Sequence, residues 1–128
     1  MNPLDPATSL QHLRDIVREF VNERDWQQFH SPKNLSMALA IEAAELMEHF
    51  QWITVEQSRC FDAPAKQAAG EELADVLCYA LALANELELD IATTLLQKME
   101  KNRQKYPTAR FRGRYGANDP NPPALDDC

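Results

Sequence analysis

Residues 71–84 read EELADVLCYALALA, apolar after the first two positions apart from Asp75. Leu and Ala dominate the run and no Gly or Pro interrupts it, so its intrinsic preference is helical. A second stretch, MALAIEAAELM at residues 37–47, has the same character, with Glu42 and Glu45 as its only charges. Two such segments require facing elements to cover them, and no alternating strand pattern occurs elsewhere in the chain. The fold class expected is all-α, a four-to-five-helix bundle that assembles as an oligomer.

The rest of the 128 residues is consistent with that frame. There are only three glycines, and the prolines gather mostly towards the two ends. Leu10, Leu13, Ile16, Val17, Phe20 and Val21 recur at helical spacing and predict a first helix from near Ala7 or Ser9 to about Arg24. Ser31-Pro32 opens a second helix expected to reach Ile53, and Thr54 caps a short one. Asp62 and Pro64 begin a third long helix ending near Leu87; Asp90 caps a fourth that stops before Pro107. The expected domain spans residues 1–107. Residues 108–128, rich in Pro, Gly and Asn, read as an irregular tail.

Charge excludes one class of partner. Thirteen Lys and Arg stand against twenty Asp and Glu, a net charge of −7. A nucleic-acid polymer needs excess positive charge to displace counterions, so none is expected. The longest apolar run, residues 76–84, is far below the roughly 20 residues that cross a bilayer, so no membrane association is expected. Cys60, Cys78 and Cys128 form no close pair, which points to reduced thiols and a cytoplasmic setting.

The acids on the two apolar helices carry the chemistry. Glu42 and Glu45 are three apart, as are Glu72 and Asp75, so each pair shares a helical face. One such pair alone would read as a solvated stripe. Two pairs on helices built for burial need neutralising, because unpaired buried charge is costly. A divalent cation does this with carboxylates as hard ligands. Di-iron bundles place Glu-x-x-His on two helices, whereas His12, His30 and His49 here do not follow a Glu at that spacing. An all-oxygen set points to Mg²⁺ or Mn²⁺, and hence to phosphate-ester or phosphoanhydride hydrolysis.

Glu42-x-x-Glu45 and Glu72-x-x-Asp75 resemble the ExxE…ExxD signature of the MazG-like all-α nucleoside triphosphate pyrophosphohydrolases. FVNERDWQQFHSPKNL, ELMEHFQW, EELADVLCYALALA and KMEKNRQKYP are similar to segments of the dCTP pyrophosphatase subgroup, in the same order. The likeness covers roughly residues 10–107. It implies Mg²⁺-dependent cleavage of a nucleoside triphosphate to monophosphate and pyrophosphate, serving nucleotide-pool sanitation. Glu42, Glu45, Glu72 and Asp75 then carry over as metal ligands and catalytic residues. Trp26, His30 and Trp52 carry over as the nucleobase pocket.

Tyr79, one turn past Asp75, is placed to reach a phosphate or sugar oxygen, and Lys98 and Asn102 share a face suited to the triphosphate. Many relatives have Glu immediately before the first ligand. Ile41 stands there in this chain, which favours the dCTP branch over the dUTP branch. The alternatives are the same hydrolysis directed at dUTP or a damaged purine nucleotide, and a non-catalytic helical interaction module. Relatives form dimers or tetramers, so a homo-oligomer is expected.

Overall fold

In the computed structural model residues 4–114 are described, and every regular element among them is helical. After a single 3-10 turn at Asp5–Ala7 come α1 (Leu10–Glu23), a second 3-10 turn (Trp26–Phe29), α2 (Pro32–Glu48), α3 (Val55–Arg59) and α4 (Ala63–Glu86). Then follow α5 (Ile91–Lys105) and α6 (Thr108–Phe111). Side-chain caps fix the starts of the five longer helices. Ser9, Ser31, Thr54, Asp62 and Asp90 accept from the backbone N–H of His12, Asn34, Gln57, Ala65 and Thr93. Each cap satisfies a donor that a helix start otherwise leaves unpaired. Thr54 and Gln57 form a reciprocal capping box.

α2 ends at Glu48, short of the expected Ile53. Phe50 N–H bonds back to Met47 and Ile53 N–H to Phe50, three residues each, so residues 49–53 unwind through tight turns. That unwinding lets Thr54 adopt the extended backbone its cap requires, and it leaves Phe50 stacked on Phe61 at 5.0 Å between centroids. Within the segment read as an irregular tail, Thr108–Phe111 makes one helical turn, with Phe111 edge-on to Tyr106; residues 115–128 lie outside the described ones. Cys78 is a free, half-buried thiol on α4; Cys128 lies outside the described residues.

The chain divides into two compact units, residues to Leu89 and residues from Asp90. In the first, α4 is the central helix, with α2 packed along it and α1 against it. Val21, Leu35, Leu81, Ala82 and Ala84 form the buried core. Arg14 of α1 is buried at the end of α4, donating to Asn85 Oδ1 at 2.9 Å and to the Leu89 carbonyl at 2.6 Å. Asn85 returns a bond to the Arg14 carbonyl at 3.2 Å. The guanidinium thus sits where the carbonyls of a helix end concentrate negative charge.

α2 is not the largely buried helix that its composition suggests. Only Leu35 on it is buried, while Met37, Ile41 and Met47 are exposed.

Candidate functional site

Packing α2 along α4 brings their acids together. One carboxylate oxygen each of Glu42, Glu45 and Glu72 lies within 4.8 Å of the other two. Glu42 Oε2 and Glu72 Oε2 are buried and accept no hydrogen bond. Burial pushes the Glu42 carboxyl above the usual carboxylate range, helped by a hydrogen bond with Glu45 and by the charges of Glu45, Asp75 and Glu72. Glu72 is raised for the same reasons, burial first and then Glu45, with His49 opposing the shift. Proteins tolerate such a cluster when something neutralises it. Three hard oxygen donors with two buried, unpartnered oxygens fit Mg²⁺ or Mn²⁺.

Asp75, expected as the fourth ligand, is exposed and stands outside this triangle, although its charge raises both Glu42 and Glu72. Tyr79 joins the same face: its hydroxyl is raised by burial and then by the charge of Glu42.

His49 completes the neighbourhood, and the sequence reading passed it over. Its Nε2 lies 3.9 Å from Glu72 Oε1. The signal was available, since 42, 45 and 49 follow the spacing of one helical face. The Glu-x-x-His pattern does not reach it, because His49 follows Glu45 by four.

Trp26 and His30 are side by side, 6.2 Å between ring centroids, and Trp26 also meets the edge of Phe20. His30 borders a cavity of about 160 Å³ between α1, the second 3-10 turn and α4, with Asn22, Gln27 and Asn85 as its amides and Val21 and Ala82 as its apolar wall. Trp52, in the turns after α2, is 87% exposed. Lys98 and Asn102 lie on α5, in the unit that begins at Asp90.

The MazG-like family pattern matches residues 37–114, more than half of the chain. The chain belongs to the MazG-like family. The matched span includes Glu42, Glu45, Glu72 and Asp75, while Trp26 and His30 precede it. Mouse dCTP pyrophosphatase 1 is 43% identical over 110 residues, 84% of this chain and 65% of the relative. Human dCTP pyrophosphatase 1 is 45% identical over 104 residues, 80% of this chain and 61% of the relative. The chain thus spans less than two thirds of the length of either mammalian protein. A pyrophosphatase crystal structure from Archaeoglobus fulgidus superposes with a TM-score of 0.69 at 36% identity, covering 84% of this MazG-like chain and 98% of that one.

Proposed function

We propose that this MazG-like chain is a nucleoside triphosphate pyrophosphohydrolase that cleaves dCTP-like nucleotides between the α and β phosphates. Monophosphate and pyrophosphate leave as products, as nucleotide-pool sanitation requires. The observation that carries this reading is the Glu42–Glu45–Glu72 triangle with its two buried, unpartnered oxygens. Its relatives' names, dCTP pyrophosphatase 1 and pyrophosphatase, point the same way.

Glu42, Glu45 and Glu72 would hold the divalent ion, with Asp75 turning in beside them. When bound, Mg²⁺ or Mn²⁺ supplies positive charge for the phosphate oxygens and acidifies water. The residues around it do the positioning. Positions 72, 75, 79, 82 and 86 of α4 follow one another by three or four and so form one stripe. The stripe runs from the carboxylates past the Tyr79 hydroxyl to Ala82 and Glu86 on the cavity wall. From Asp75 to Glu86 is roughly 16 Å along the helix axis, the scale of a nucleotide with its phosphate chain. Phosphates at one end therefore leave the base beside Trp26, His30 and the amides of Asn22 and Gln27. Trp52, exposed in the turns after α2, is assigned to the same nucleobase site as a stacking surface.

The domain is assigned to residues 1–107, with 108–128 as its tail, acting as a cytoplasmic homo-oligomer. Among the described residues no helix is long and apolar enough to cross a membrane. Incubating the protein with Mg²⁺ and a panel of dCTP, dUTP and a damaged purine triphosphate tests the reading. Pyrophosphate release ranked by kcat/KM with dCTP first is expected. A dUTP or purine optimum would overturn the base preference. Absence of pyrophosphate from every nucleotide would leave a helical interaction module instead.

A further inference from the structure

We infer that His49 is a positioning residue, which holds Glu72 in its metal-binding orientation without itself ligating the ion. The inference rests on the metal reading above and assigns a role to a side chain outside the ExxE…ExxD pattern.

Three observations converge. His49 Nε2 faces Glu72 Oε1 at 3.9 Å, across the contact between α2 and α4. The other oxygen of Glu72, Oε2, is buried and accepts no hydrogen bond, so it is the atom left for a cation. The imidazole is not among the groups whose donor atoms all lie within 4.8 Å of one another, a set restricted to Glu42, Glu45 and Glu72. His49 therefore meets the cluster from outside, through one oxygen of one ligand.

The local backbone supports such a role. His49 is the residue that ends α2, and its N–H bonds back to Leu46 and Met47. It sits one turn after Glu45, on the face that carries both Glu42 and Glu45. Its side chain is about one-third exposed, so the ring is held against Glu72 while one edge meets water. A separation of 3.9 Å is ion-pair range, and in the loaded site it closes to an Nε2–H to Oε1 hydrogen bond. Partners of this kind fix the orientation of ligating groups, and losing them typically weakens metal affinity about 10–100-fold.

The test is Mn²⁺ binding to the full chain, followed by calorimetry and by electron spin-echo spectroscopy of the bound ion. His49→Leu is expected to raise the Kd for Mn²⁺ about tenfold or more, with helical circular dichroism unchanged. His49→Gln, which returns an amide donor at similar reach, is expected to bind within about threefold of the original. Nucleotide KM at saturating metal should stay level in both. No directly coordinated nitrogen should appear in the spin-echo spectrum of the original protein. Equal affinity in His49→Leu, failure of a folded His49→Gln to restore binding, or a coordinated imidazole signal would each overturn the assignment. If His49→Leu does not fold, His49→Gln and the spin-echo spectrum still decide. An original protein that binds no Mn²⁺ defeats the metal reading itself, an outcome distinct from all of these.

Discussion

Glu45 of α2 and Glu72 of α4 bring carboxylate oxygens within 4.8 Å of each other, and the nearness of Glu45 raises the carboxyls of both Glu42 and Glu72. Glu45 is therefore the hinge of the cluster, the acid whose charge presses on both others. Glu45→Gln removes a ligand and a source of repulsion together, so two properties should move in opposite directions. Metal-dependent turnover is expected to fall more than about a hundredfold, beyond the loss typical of outer partners. The metal-free protein is expected to melt at a higher temperature than the original. Turnover assays and thermal melts in a chelator check both, and undiminished turnover would remove Glu45 from the site.

The raised carboxyls of Glu42 and Glu72 give the metal-free protein a pH dependence of definite sign. Between the ordinary value of 4.5 and the raised folded values, the folded protein keeps protons that the unfolded chain has released. Stability therefore falls as pH rises through that window and stays lowered above it. A divalent cation binds the ionised cluster, so its stabilisation should grow over the same range. Melting curves at about pH 5 and about pH 7.5, with and without Mg²⁺, are expected to show the metal effect mainly at the higher pH. Equal stabilisation at both would contradict it.

The helices and their starts were legible because they depend on local chemistry. Ser9, Ser31, Thr54, Asp62 and Asp90 act on backbone donors three residues away, so a reader of the sequence meets cap and target together. The triangle of acids was legible for a related reason: like charges on two apolar helices make sense only if those helices face each other. The end of α2 was not legible, since it depends on where Phe50 finds Phe61. Nor was the triangle's boundary, because side-chain orientation across a helix contact separates Asp75 from Glu72 although their spacing unites them. His49 went unnoticed because its partner, Glu72, lies across the helix contact on α4, far away in sequence.

Arg14 ties α1 to the end of α4, and its loss should be felt in stability rather than chemistry. Arg14→Met keeps most of the side-chain stem but leaves the Leu89 carbonyl and Asn85 without their charged donor. Hydrogen bonds to charged groups contribute about 1.5–3 kcal/mol each, so a loss of roughly 3 kcal/mol is expected in denaturant unfolding. Arg18, exposed beside it, also donates to Asn85 at 3.1 Å. Arg18→Ala should cost less than about 1 kcal/mol. Similar costs for the two variants would argue against the buried contact.

Trp52 offers a clean separation of binding from folding. At 87% exposed, it contributes little packing, and Trp52→Ala should change stability by no more than about 0.5 kcal/mol. Base stacking on an aromatic ring is worth about 1–3 kcal/mol, so KM for dCTP should rise roughly 5- to 150-fold while the melting temperature holds. Trp26 is packed against Phe20, so Trp26→Ala is expected to lower both affinity and stability. A Trp52→Ala enzyme with its original KM would remove Trp52 from the nucleotide site.

The apolar surface of the first unit predicts how copies of the chain associate. Met37, Ile41 and Met47 on α2 are 54%, 59% and 55% exposed, and Leu73 and Leu77 on α4 are 56% and 47% exposed. Exposed large apolar side chains gathered on two packed helices are the composition of an interface. Met37 and Ile41 lie four apart on one face of α2, and both are exposed while Glu42 and Glu45 are half-buried. Met37→Glu places a charge on that surface and should reduce the mass measured by light scattering to that of a single chain. Because Glu42, Glu45 and Glu72 converge within one chain, the dissociated variant should still bind Mn²⁺. An original protein already monomeric at micromolar concentration would remove the homo-oligomer from the proposal, leaving the carboxylate triangle untouched.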